Sequence, residues 1–184
     1  MVFQIAIISL WFYLEYFNKD PKIIKKDTTL EKIDTDQSSS STYIDNINYV
    51  SFDTKGNKYQ IQAEKAEIDI NNSDIIFLEN VTAYIFIKDS ETIKITSDFG
   101  KYNSKNYDTI FSKNVIIVYS SHKITGEYLD FSFLDNLGTI STNVIYAEGK
   151  KSLFADKIEM NLATKDTKIF MTDKTKKVII KSTK

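Results

Sequence analysis

The strongest constraint in this sequence is a segment that recurs four times. IQAEKAEIDINNSDIIFLENV (Ile61–Val81) aligns without gaps on ITSDFGKYNSKNYDTIFSKNV (Ile95–Val115). ITGEYLDFSFLDNLGTISTNV (Ile124–Val144) keeps the same frame, and a fourth copy, Leu153–Asp173, begins alike and decays at its end. Successive copies are offset by 34, 29 and 29 residues. A repeat of this period means supersecondary units that stack and share one core. Each copy reads as strand, turn, strand, with turns at Asn71–Asp74, Ser104–Asn106, Asp135–Gly138 and Thr164–Asp166. Thr54–Asn57 marks a further hairpin, and no helical apolar stripe follows residue 43. The expectation is an all-β domain of antiparallel hairpins packed as two sheets.

The apolar alternation inside each copy changes parity. Ile61 and Ala63 are odd, whereas Ala66, Ile68 and Ile70 are even; Ile124/Gly126 and Leu129/Phe131/Phe133 show the same flip, as do Leu153/Ala155 and Ile158/Met160/Leu162. Side chains alternate strictly along a strand, so a bulge or corner is expected wherever the parity flips. The flip falls at a small residue followed by an acid: Ala63-Glu64, Ser97-Asp98, Gly126-Glu127, Ala155-Asp156. These acids are spaced by whole repeats and have no partner base. They are read as outward groups near turns or backbone N–H groups, not as catalysts.

Repeat position and alternation direct one set of side chains inward. Phe77, Val81, Phe111, Val115 and Ile117 are expected there, as are Phe131, Ile140, Val144, Met160 and Ile169. Asn80, Asn114 and Asn143 take the opposite face. A filled core and a splayed lipid groove both require this alternation, so the pattern leaves the two open.

Composition removes several other functions. The 24 basic residues are all Lys, balanced by 25 acids to a net charge of -1, with no basic excess for nucleic acid. Without Arg there is no forked recognition of phosphate. Without Cys there is no disulfide, thiolate nucleophile or Cys-bound zinc, and the single His122 makes no multi-His metal site. His122 itself is read as an exposed loop residue at a turn or strand start.

Residues 2–17, VFQIAIISLWFYLEYF, are apolar apart from Gln4 and Glu15. As a helix they span roughly 24 Å, a little less than a bilayer's hydrocarbon core. Trp11, Tyr13 and Tyr16 gather at one end, as interfacial aromatics do. Residues 1–17 are therefore expected to be an uncleaved membrane anchor; the rival is a cleaved signal peptide, which would show a basic start and a small-residue cleavage site. Lys19, Lys22, Lys25 and Lys26 follow the segment and no Lys precedes it, a count that alone puts the C-terminal side in the cytoplasm. Residues 18–42, with Pro21 and Ser38–Ser41, read as a polar, flexible tether.

Anchor, tether and four small-acid…Asn-Val repeats together resemble the LptC family of lipopolysaccharide export proteins, within the LptA/OstA-like superfamily. The resemblance covers nearly the whole chain. It implies an open β-jellyroll over residues 43–184, held in the periplasm of a Gram-negative bacterium by a single inner-membrane helix. The implied partners are lipopolysaccharide, the LptF–LptG transporter, an LptA-like bridge protein and the inner membrane, with no cofactor, no nucleic acid and no enzymatic activity. The inward residues would line a lipid groove. The C-terminal run Val178-Ile179-Ile180, β-branched and flanked by Lys176, Lys177 and Lys181, is expected to be an edge strand that receives the partner domain. Two other readings of the same residues are a soluble periplasmic LptA-like carrier and a ligand-free β-repeat scaffold.

Overall fold

A computed structural model describes residues 33–34, 41–53, 56–88, 90–164, 166–173 and 175–182. The expected anchor, residues 1–17, lies outside the described residues. Eleven strands follow in chain order: β1 (Ile33–Asp34), β2 (Ser41–Phe52), β3 (Lys58–Asp69), β4 (Ile75–Phe86), β5 (Ile93–Asn103), β6 (Thr109–Tyr119), β7 (His122–Ser132), β8 (Leu137–Glu148), β9 (Lys151–Asn161), β10 (Thr167–Phe170) and β11 (Ile179–Ser182). They form one open antiparallel sheet in which neighbours in sequence are neighbours in space from β1 to β10. This all-β sheet fits an open β-jellyroll. β1 falls within the stretch read as a tether and pairs Ile33 with Ile44.

The sheet folds over along a line of corners, one in each long strand. The halves before and after the corners face each other across a shared interior. Tyr59, at the start of β3, meets Phe133, just past β7, with ring centroids 4.6 Å apart. The corners fall at the expected small-acid steps, and two constructions produce them. In β4 the buried residues step from Leu78 to Val81 across Asn80, whose φ is 53°. Pairing there runs on unshifted, from Ala63↔Val81 to Lys65↔Glu79. In β6 the step is longer, from Phe111 to Val115, and two consecutive residues, Lys113 and Asn114, take φ of 62° and 50°. β8 repeats this, stepping from Ile140 to Val144 through Thr142 and Asn143, again with positive φ. The register shifts on both sides of β6 and on both sides of β8. The extra residue therefore sits on the Asn-Val strands of the later copies, not on the small-acid strands. Asn tolerates the left-handed region better than most residues because its short polar side chain bonds locally.

The acids sit outside and tie the corners together. Asn80 Nδ2 donates to Glu64 at 2.6 Å and Asn114 Nδ2 to Asp98 at 2.7 Å. In the decayed fourth copy, Asp156 instead accepts the backbone N–H of Thr172 at 2.8 Å. The small residues face in, where the fold closes on itself. A Cβ on Gly126 would lie 2.8 Å from Ile140 Cγ1.

Among the described residues the outer face carries six Lys–aromatic pairs, each between adjacent strands: Lys58–Phe86, Lys94–Tyr84, Lys101–Phe77, Lys113–Phe99, Lys157–Phe170 and Lys181–Phe154. Nζ lies 4.8–6.0 Å from the ring centre in every pair. A cation over an aromatic face is attracted by the ring quadrupole, and the Lys stem covers the ring's apolar edge. This accounts for large aromatics on a solvated surface.

Candidate functional site

The interior is filled in its middle and hollow towards its ends. Phe111, Val115, Leu129, Ile140, Val144 and Ile158 form the middle, and none retains more than 2 % of its surface. Towards the β10 end lies a cavity of about 280 Å³ between the ends of β6–β8 and the turn joining β9 to β10. Ile87, Ile93, Ile117, Ile124, Met160 and Leu162 supply its apolar wall. Towards the β2 end lies a second cavity, about 210 Å³, walled by Ile44, Ile47, Ile61, Ile68, Ile76 and Leu78. The question of core or groove thus divides by region.

Val81, Phe111, Val115, Ile117, Phe131, Ile140 and Val144 are buried as the repeat requires. Met160 is half-buried and lines the larger cavity. Ile169 pairs opposite the buried Ile158, which puts it on the inner side, but on the short outer strand β10 it stays 40 % exposed. Phe77 does not face inward. It is 46 % exposed, pairs with Lys101 across the strands and carries that Lys over its ring. Leu78 takes the core place, because β4 lacks the extra corner residue of β6 and β8 and the parity before its corner shifts by one.

Aromatic packing between the layers was not read from the sequence. Tyr49 and Tyr102 approach to 5.4 Å, Tyr102 and Tyr107 to 6.4 Å, and Tyr107 and Phe133 to 5.5 Å. Only about 30 Å³ remains open among them. Burial, followed by the nearby Asp53 carboxylate, pushes the Tyr59 hydroxyl up to about 12. Burial also raises Tyr49 and Tyr102. All three therefore stay neutral hydroxyls under ordinary conditions.

His122 is not an exposed loop residue. It opens β7, half-buried on the wall of the larger cavity, with Nδ1 2.7 Å from the Tyr146 hydroxyl. That hydroxyl also donates to Glu148 at 3.2 Å, and burial followed by this bond raises its pKa. The rings of Tyr119, His122 and Tyr146 stack across three adjacent strands. They give the cavity a polar, hydrogen-bonding rim above an apolar wall. Among the described residues no cluster of three or more His, Asp or Glu is placed to hold a metal ion.

Both edges of the sheet are partly open. β1 pairs only Tyr43 and Ile44 of β2, so Asp45–Phe52 has no outer partner among the described residues. At the other end, β10 and β11 share one edge of β9: β10 takes Lys157–Met160 and β11 takes Lys151–Phe154. Ile179 and Ile180 lie in β11 and are exposed, while Val178 is half-buried just before it.

A family described as lipopolysaccharide-assembly, LptC-related, matches residues 1–179. The chain belongs to the LptC family. No curated protein matches it. LptC membership carries a role in lipopolysaccharide transport, and the family is one of transport proteins. Among the described residues no helix is long and apolar enough to cross a membrane.

Proposed function

We propose that this LptC-family protein is anchored in the inner membrane by residues 1–17. In this reading it takes lipopolysaccharide from the LptF–LptG transporter and passes it to an LptA-like bridge protein through the apolar interior of residues 43–184. The observation that carries the reading is the pair of apolar cavities, about 280 and 210 Å³, in an LptC-family chain. Acyl chains gain roughly 25 cal/mol for each Å² they withdraw from water. Two sites of similar chemistry favour handing a chain on over trapping it. The edges at β2 and β11 offer unpaired backbone groups for strand addition. The bridge protein would join at Val178–Ile180 and the transporter would lie at the β2 end. The periplasmic orientation follows the family rather than the Lys count after residue 17.

Photo-crosslinking tests the path. A photoreactive side chain at Ile117, on the larger cavity's wall, should capture lipopolysaccharide in vesicles containing the transporter. The same group at the outward Phe77 should capture far less. Equal capture at both positions, or none at Ile117 with the protein folded, would leave a ligand-free scaffold. A reporter fused after Lys184 and active only in the cytoplasm would refute the orientation. A mature chain lacking residues 1–17 would favour the soluble carrier.

A further inference from the structure

The two layers differ in the charge of their outer faces. In the layer that holds Tyr59 and Ile124, pairing carries one outward row across the sheet from Tyr84 on β4 to Lys181 on β11, and in it Lys94 and Lys123 flank Val118. Lys58 lies in the next row, opposite Phe86. Among the described residues the strand segments of this layer hold one acid, Glu148, and it turns to the inner side, where it accepts from the Tyr146 hydroxyl at 3.2 Å. In the turns beyond, Asp53 is held by the backbone and side chain of Asn57, and Glu91 shares its turn with Lys88. The matching row of the other layer begins at Glu67 and passes Lys101, Asp130 and Glu159 to Lys168, so both signs are interspersed.

Shielding of aromatic rings does not account for this difference. Among the described residues three Lys–aromatic pairs lie on each layer, and only those on the second stand among acids. The acid-free face also exposes Phe52, Val118, Ile145 and Ile179. A field of one sign over a partly apolar face selects an anionic partner with apolar depth. A bilayer of anionic phospholipid has both: phosphate for Lys, and an interface in which Tyr and Phe rings settle. Lys58, Lys94 and Lys123 recur on every second strand, about 10 Å apart across the sheet. That spread suits laterally mobile headgroups better than a fixed constellation of acids on a protein.

We infer that this outer face docks on the surface of an anionic phospholipid bilayer, laying one layer of the sheet against the membrane and leaving both sheet edges free. The inference rests on the anchor reading for proximity alone. A tethered domain meets the bilayer at high effective concentration, whereas the charge of the face owes nothing to residues 1–17.

The chain has no Cys, so a single introduced thiol can carry a fluorophore. The full chain bearing Val118→Cys, or Tyr128→Cys on the other layer's outer face, is reconstituted in phosphatidylcholine vesicles with and without phosphatidylglycerol. A nitroxide on the lipid headgroups reads the distance to the bilayer. With phosphatidylglycerol, the label replacing Val118 should be quenched well beyond the one replacing Tyr128; without it, or at high salt, the two should match. Lys94→Gln with Lys123→Gln should lower the docked-to-free ratio about 25-fold, roughly fivefold for each Lys. Lys101→Gln with Lys113→Gln, held away from the bilayer, should change it by less than about twofold. Equal quenching at the two positions in anionic vesicles overturns the inference, as do equal losses from the two Lys pairs. Energy transfer between labels that rises with protein density in neutral vesicles overturns it too, in favour of a second copy's acidic layer. Failure to float with neutral vesicles refutes the anchor alone. Salt-sensitive flotation with anionic vesicles then still supports the docking face, and its absence refutes that face.

Discussion

The early strands β2–β5 and the later strands β6–β9 solve one problem in two ways. Both must turn a long strand through a corner while keeping apolar side chains inside. The early copies do it in register, with a single left-handed Asn in β2 and in β4, Asn46 and Asn80. The later ones insert a residue, with two left-handed positions each in β6 and β8. The fully buried aromatics of the early half are Tyr59 and Tyr102, whereas those of the later half are Phe111, Phe131 and Phe133. Repeats that align without a gap in sequence are thus not equivalent residue by residue in space. One inserted residue decides which of two adjacent apolar side chains is core.

Three measurements would break or sharpen this contrast. The largest effect is expected from a matched pair of charges at positions the sequence alignment sets only four residues before or at the same repeat valine. Val115→Asp puts a carboxylate at a site with 0 % exposure, at a cost of several kcal/mol, and should abolish cooperative folding. Phe77→Asp, on the outer face, should lose about 1 kcal/mol or less in a denaturant melt, from the Lys101 contact. Comparable losses from the two would mean that Phe77 is core after all.

The glycines come next. Gly126→Ala drives a Cβ to 2.8 Å from Ile140 Cγ1 beside an inserted corner, and overpacking of this kind costs about 1–3 kcal/mol. Gly100→Ala meets Val81 Cγ2 at 3.1 Å on its unshifted β4 side, where a smaller shift of the neighbours relieves it. Urea midpoints should fall clearly further for the Gly126 variant. The reverse order would show that the inserted corner is the more compliant one.

The smallest effect is alkaline. The folded Tyr59 pKa, about 12, lies above the ordinary value of 10.0, so folding favours the protonated form. That contribution is complete below pH 10 and is lost as pH rises towards 12. By pH 11 it should remove on the order of 1 kcal/mol, and Tyr59→Phe should flatten that part of the stability profile. Hydrogen exchange at pH 10–11 should loosen β2–β5 before β6–β9. Uniform loosening would contradict the division.

The sequence made the strands legible because repetition averages out local accidents. Four small-acid steps and three Asn-Val pairs placed the corners, and one-sided alternation separated the faces at Val115, Ile140 and Val144. The inserted residue was hidden. Ile75, Ile76, Phe77 and Leu78 form an unbroken apolar run, so parity before the β4 corner leaves no trace. Large aromatics were ambiguous for a physical reason: a Lys across the strand makes Phe77 and Phe99 tolerable in water, and tyrosine suits either face. The cavities were beyond the pattern because hollow and filled regions use the same residue types and differ only in how volumes meet. His122 was misplaced because its partner Tyr146 lies on the next strand.

The order in which the strands lie side by side also has a kinetic consequence. Along the path from β1 to β10 every pairing joins chain neighbours, and among the described strands only β11, which returns to β9, departs from this order. The ladder can therefore be assembled from contacts short in sequence, which ordinarily favour rapid folding, whereas β-sandwiches built on distant pairings fold slowly. What remains non-local is the closing of the two layers, where Tyr59 must find Phe133 after the intervening hairpins have formed. Folding should run as a quick zippering followed by one slower clasp. Substitutions in that aromatic contact would then weaken the native state chiefly by speeding its opening.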